Sequence, residues 1–231
     1  MRRHFQRHDL RAVLLTLAAA SAVGTGLLIA RVAFTGQFRQ LYLAWNLFLA
    51  WVPLFFALRV EEMGRENGRR GLRYWSACGA WLLFFPNAPY IFTDLIHITR
   101  SAPTRVWTDM LIVLVFAVTG LALGFLSLQR MQSLIVRRGG RIFGWLFVFA
   151  VALLSGFGVY LGRFERWNSW DVVVNPFKLL SDAMNWLNPH AALFTTLFGV
   201  FIFTAYAILY SLTLLGAAIH VPAPVKASGE L

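Results

Sequence analysis

Of the 231 residues, 58% are hydrophobic and only 13% charged, with a mean hydropathy of +0.63; soluble domains carry about a quarter charged residues. The deficit excludes a sizeable water-soluble domain, and the short alternating segments of a transmembrane β-barrel do not dominate. The formal charge of +11 is no nucleic-acid signature, because the arginines fall between apolar runs, where cytoplasmic charge orients membrane spans. About six spans of roughly 20 residues would occupy this length. The single cysteine, Cys78, lies inside an apolar run and reads as a small buried residue.

In chain order, Arg2, Arg3, Arg7 and Arg11 precede a first apolar run at about 12–30. Ala20-Ser21-Ala22 resembles a signal-peptide cleavage site, but the run exceeds the usual signal core, which favours an uncleaved span. A second span at about 41–58 contains Asn46, an interhelical hydrogen-bonding group, and Pro53, which is expected to kink it. A third, at about 74–92, meets Pro86 after about a dozen residues, too few to cross a bilayer alone. A fourth at about 107–128 has Asp109 near its start and the small-residue pair Gly120 and Gly124. A basic loop containing Arg130, Arg137, Arg138 and Arg141 leads to a fifth span at about 142–161, and the sixth covers about 191–218. Residues 1–221 thus read as one helical membrane domain, with 222–231 as a short polar tail.

Fourteen of the 21 lysines and arginines fall on one side of this scheme and seven on the other, placing both termini in the cytoplasm. The break at Asn87 and the polar interval Gly162–His190 then share the outer side. Asn87, Tyr90, Asp94 and His97 lie at helical spacing on one face, with Ile91, Phe92, Leu95 and Ile96 opposite. This segment and the later part of the second interval read as two short outer helices, interfacial or re-entrant. Asn87, Asn175 and Asn188 each stand before a proline, the chemistry of a capped helix start. Such N-termini attract anions, and Arg100, Arg105, Arg163 and Arg166 lie close in topology.

Asp94 and His97 can share a proton in acid–base work, with Asp171 or Glu165 as partner. No His-Glu-x-x-His and no second histidine at ligand spacing accompany them, so no metal site is expected and no cofactor is indicated. Asn87, Tyr90, Arg163, Arg166, Asn168, Trp170 and Asn175 are the candidate ligand-binding residues. There is no P-loop, dinucleotide fingerprint or Gly-x-Ser-x-Gly elbow. Span centres almost lack ionisable residues, which lowers the case for a coupled transporter.

Trp45–Asn46, Phe-Pro-Asn-Ala-Pro-Tyr-Ile-x-Thr-Asp-Leu at Phe85–Leu95, and Arg-Phe-x-Arg-Trp-Asn-Ser-Trp-Asp at Arg163–Asp171 carry a resemblance. The chain resembles the bacterial membrane-protein family catalogued as domain of unknown function 1361. The resemblance spans the second helix to the last and implies a multipass inner-membrane protein; it implies no activity. The reading from the residues is an all-α polytopic protein in the lipid bilayer, with an outer-face polar site for an anionic or sugar-bearing envelope lipid or head group. A transporter or lipid flippase, and a structural or accessory subunit without catalysis, are the alternatives.

Overall fold

A computed structural model describes residues 2–66, 70–100, 103–174, 177 and 188–219; the side chains of residues 2–9, 66, 97–100, 103, 172–173 and 216–219 are outside the description. The described residues form helices and short connections, with no strand among them. The helices are α1 (Arg2–Thr35), α2 (Tyr42–Glu66), α3 (Leu72–Phe84), the single turn α4 (Asn87–Tyr90), α5 (Val106–Phe164), the short α6 (Asp171–Val174) and α7 (Pro189–Ile219). Two 3-10 segments, Ile91–Arg100 and Pro103–Arg105, join α4 to α5. Four of the helices, α1, α2, α5 and α7, are long and apolar enough to cross a membrane. Much of the surface of α1 and α7 is exposed leucine, isoleucine, valine and phenylalanine, the pattern of helices whose neighbour is lipid.

The expected loop around Arg130–Arg141 is reduced to a tight turn at Gly140: α5 runs helically up to it and on from it. At 1.5 Å per residue it would reach roughly 90 Å if straight, about three times the hydrocarbon core. It is not straight. Gly140 adopts φ 85° and ψ 178°, which an L side chain rarely tolerates, and this breaks the helix into two arms, 106–139 and 141–164. The arms fold back on each other. A Cβ on Gly144 would stand 3.5 Å from Gln132, a residue 18 Å away along a continuous helix. The first arm reaches roughly 50 Å, beyond the hydrocarbon core, so its basic end is a helical extension and not a loop. Arg130 there approaches Glu61, which also bonds Arg65 at 2.6 Å.

The third expected span is also corrected in detail. α3 ends at Phe84, and the chain turns through Phe85 and Pro86 into α4 and then the 3-10 segment. Pro53, by contrast, sits inside α2 without ending it.

The break after α3 has a seat on each arm of α5. On the first arm, a Cβ on Gly120 would meet the Ala88 carbonyl oxygen at 2.8 Å, and one on Gly124 the Ala88 Cβ at 2.8 Å. On the second arm, a Cβ on Gly158 would meet Pro86 at 2.6 Å, and one on Gly162 the Tyr90 ring at 3.2 Å. Two four-residue glycine pairs therefore admit Pro86–Ile91 between the arms. α7 crosses the second arm by the same device, with Gly156 against the Thr195 carbonyl.

Two buried clusters divide the bundle lengthwise. One gathers Val60, Trp81, Phe85, Leu128, Val148 and Tyr206; the other gathers Leu28, Leu47, Ala88, Ile91, Phe116 and Leu123. Trp81 donates to the Ser127 hydroxyl at 3.3 Å and Tyr206 bonds Gln132 at 2.5 Å, so these two polar groups are partnered inside the clusters.

Gly124→Ala should lower the melting temperature in detergent, reflecting a loss of about 1–3 kcal/mol from overpacking against Ala88. Gly79→Ala, where an added Cβ meets nothing within 4 Å, should leave it unchanged or raise it. Equal effects from the two substitutions would refute the seating role of Gly124.

Candidate functional site

Interhelical contacts bring the Asn87 and Arg163 motifs to one end of the bundle. Asp94, in the 3-10 segment, is 1% exposed and ion-pairs with Arg163 in the last turn of α5, Nη1 to Oδ1 at 3.2 Å. Its other oxygen accepts from Asn46 Nδ2 on α2 at 3.1 Å. Arg163 also donates to the Tyr90 hydroxyl at 3.4 Å and to the Thr93 carbonyl, and its guanidinium lies over the Tyr90 ring at 5.3 Å. One carboxylate thus ties together α2, the 3-10 segment and α5.

Burial pushes the Asp94 carboxyl up to about 6, while the Arg163 charge and the Asn46 hydrogen bond pull it back down. In the folded protein the group therefore holds its proton more tightly than at its ordinary value of 3.8. The corresponding stability is fully present below pH 3.8 and is lost as pH rises through about 6.

Beside this pair lies a cavity of about 180 Å³, bounded by α2, α3, α4, the second arm of α5 and the loop after it. Its polar lining comes from Asn46, Asn87, Tyr90, Asn168 and Ser169, and Trp45 and Trp167 supply aromatic walls. Gly158 and Gly162 form part of the wall because they carry no side chain to fill it. Asn87 Nδ2 donates to Ser169 Oγ and to the Phe84 carbonyl, each at 2.9 Å, bridging the Asn87 and Arg163 motifs.

The loop after α5 is shaped by Arg166, which takes φ 58°. Trp167 N–H then bonds back to the Leu161 carbonyl at 3.1 Å, one residue further back than the six-to-one bond of a Schellman motif, with arginine in the left-handed position where glycine is usual. That turn directs Trp167 back onto the helix end. Asp171 accepts from the Asn168 N–H at 2.7 Å and from Asn168 Nδ2 at 3.3 Å, fixing Asn168 at the cavity. Trp170 packs edge-on against Trp45 at 6.4 Å.

Several expected roles change. Asn87 is not a cap: Pro86 holds that position, and the Asn87 amide faces Phe84 and Ser169 instead. Asn188 does cap α7, accepting from the Ala191 N–H at 2.8 Å. Arg163 is already engaged by Asp94, so its charge is offset before any anion arrives. Glu165 and Arg166 are exposed, and Asp171 is occupied with Asn168. The side chain of His97 and the whole of Asn175 lie outside the described residues. Among the described residues no three His, Cys, Asp or Glu side chains gather closely enough to hold a metal ion.

A second buried pair escaped the sequence reading. Arg31 on α1 grips Asp109 on α5 through two bonds, Nε to Oδ1 at 2.6 Å and Nη2 to Oδ2 at 3.1 Å. Arg31 also donates to the Gln37 carbonyl at 3.1 Å. The available signal was one arginine and one aspartate, each just inside the end of an apolar run, where an unpaired charge would be expensive.

Apolar helices of spanning length, closed by buried ion pairs at one end, define a membrane-embedded helical protein. Residues 45–205 match the family model described as a protein of unknown function, DUF1361, and the chain belongs to that family. The matched span contains the Asp94 cluster and the lining of the Asn87 cavity; Arg31 precedes it. No curated protein and no solved structure matches the chain.

Two outcomes are expected. The melting temperature of the wild type relative to Asp94→Asn, which cannot titrate, should fall between pH 4 and pH 7, and a flat difference would contradict the tightly held proton. Arg166→Gly should preserve the fold and raise stability by about 1 kcal/mol, since glycine carries no Cβ penalty at that φ; a lower melting temperature would show that the arginine side chain itself is needed.

Proposed function

We propose that the protein is a multi-pass protein of the bacterial inner membrane, and that its outer-face cavity binds the sugar-bearing head group of an envelope lipid. Six spans are counted by taking the arms of α5 separately and adding α3 with its extension to α1, α2 and α7. The fourteen-to-seven distribution of basic residues supports cytoplasmic termini, with the Asp94 end outside.

The observation that carries the binding reading is the lining of the cavity: amide, hydroxyl and phenol groups between two indole rings, with no uncompensated charge. Such a set suits a ring bearing several hydroxyls and one apolar face. The pairing of Arg163 with Asp94 favours a neutral polar head group over an anionic one. At about 180 Å³ the space is below the 300–1,000 Å³ of ordinary ligand pockets, enough for a head group without its chains.

Binding is preferred over catalysis because Asp94 is held by Asn46 and Arg163 and does not line the cavity. It is preferred over transport because Trp81 and Phe85 are nearly fully buried apolar residues in the bundle beyond the cavity.

Tryptophan fluorescence of the purified protein should respond to a monoglucosyl diacylglycerol and not to diacylglycerol alone. Asn87→Ala and Asn168→Ala should each weaken the response about tenfold, the scale of one lost hydrogen bond to the head group. Exposed Glu165→Gln should leave it unchanged. A response to both lipids alike, or one indifferent to Asn87 and Asn168, would sink the proposal.

A further inference from the structure

A long groove runs between α1 and the first arm of α5, with a volume of about 860 Å³. Its walls are apolar along most of their length, with Leu27 on α1 facing Leu111, Val115 and Val118 on α5. Charged groups gather at one end only, where Arg31, Asp109 and Arg105 line it. The lining extends from Ala20 to Thr35 on α1 and from Arg105, just before α5, to Thr119 on it, so the groove is roughly 20 Å long. That exceeds half of the ~30 Å hydrocarbon core, the depth of one leaflet.

The charges at the polar end do not cancel. Arg31 and Asp109 offset each other through their two-bond pair, whereas Arg105 is half-buried with no acidic partner among the described residues. A cation at the end of an apolar groove of acyl-chain length is complementary to one amphiphile, an anion carrying a hydrocarbon tail. We propose that this groove is a binding site for an anionic phospholipid, its acyl chain between α1 and α5 and its phosphate on Arg105. The groove shares no lining residue with the Asn87 cavity, so the site is independent of the head-group reading above. The lipid would also shield the Arg31–Asp109 pair on its groove side, keeping water from an ion pair that holds α1 to α5.

Native mass spectrometry of the detergent-purified full chain tests this with phosphatidylglycerol and phosphatidylcholine of matched chains. The wild type should retain phosphatidylglycerol at least tenfold better. Arg105→Gln should abolish that preference while leaving residual binding of both lipids. Val118→Trp, at a 62% exposed position, should fill the groove and reduce both. Leu111→Trp, also largely exposed, repeats the filling test should Val118→Trp fail to fold. No preference in the wild type, a preference surviving Arg105→Gln, or undiminished binding in a folded groove-filling variant would each overturn the proposal. The glucosyl-lipid assay on Arg105→Gln separates the sites: a normal fluorescence response there leaves the cavity standing whichever way the groove is decided.

Discussion

The chain between α3 and the 3-10 segment must fit between two arms of one helix, and everything at the Asp94 end of the bundle follows from that fit. Pro86 and Pro89 interrupt the helix, and the interruption is accommodated because Gly120, Gly124, Gly158 and Gly162 leave room for the Ala88 carbonyl and the Ala88, Pro86 and Tyr90 side chains against the helix backbone. In lipid, one apolar surface is as good a neighbour as another, so hydrophobicity does little to select which helix faces meet. Small residues that permit close packing make the selection instead. With Pro86–Ile91 seated, Tyr90 and Asp94 come against Arg163, and Asn87 comes against Ser169.

The two buried ion pairs are better understood as fixing register than as sources of net stability. Transferring two charges out of water costs several kcal/mol each, and their attraction roughly offsets that cost. Breaking one partner leaves the other exposed to a low-dielectric surrounding, so each pair strongly disfavours arrangements that separate its members. Asp94 with Arg163 and Asn46 joins α5, the 3-10 segment and α2; Asp109 with Arg31 joins α5 to α1. The opposite end, where Glu61 meets Arg65 and Arg130, carries a more exposed version that contributes less.

The polar cavity and the apolar groove differ in kind. The first is small, rich in hydrogen-bonding groups and placed where the Asn87 and Arg163 motifs converge. The second is large, apolar and charged only at one end. The left-handed Arg166 belongs to the first: a strained turn there returns Trp167 to the helix end beside the cavity.

Much was legible in residue order alone. Apolar runs and few charges establish helices in a membrane, because an unpaired backbone group in lipid is prohibitive. The motifs around Asn87 and Arg163 marked the residues that converge, and Asn46 was readable as an interhelical hydrogen-bonding group. The turn at Gly140 was not: the basic residues around it suggested a loop, yet the helix continues to the turn, with Arg130 meeting Glu61. Nor were the partners. Asn87 before a proline has the local chemistry of a cap, and only the packing of the post-α5 loop offers Ser169 as the alternative. Arg163 read as a free cation because its carboxylate lies far along the chain. Sequence by itself determined the helical membrane class and the chemical inventory, since both follow from short-range periodicity and the cost of burying polar groups. Tertiary structure alone decided which charges are offset and which polar groups face the cavity, because those pairings depend on where separate helices cross.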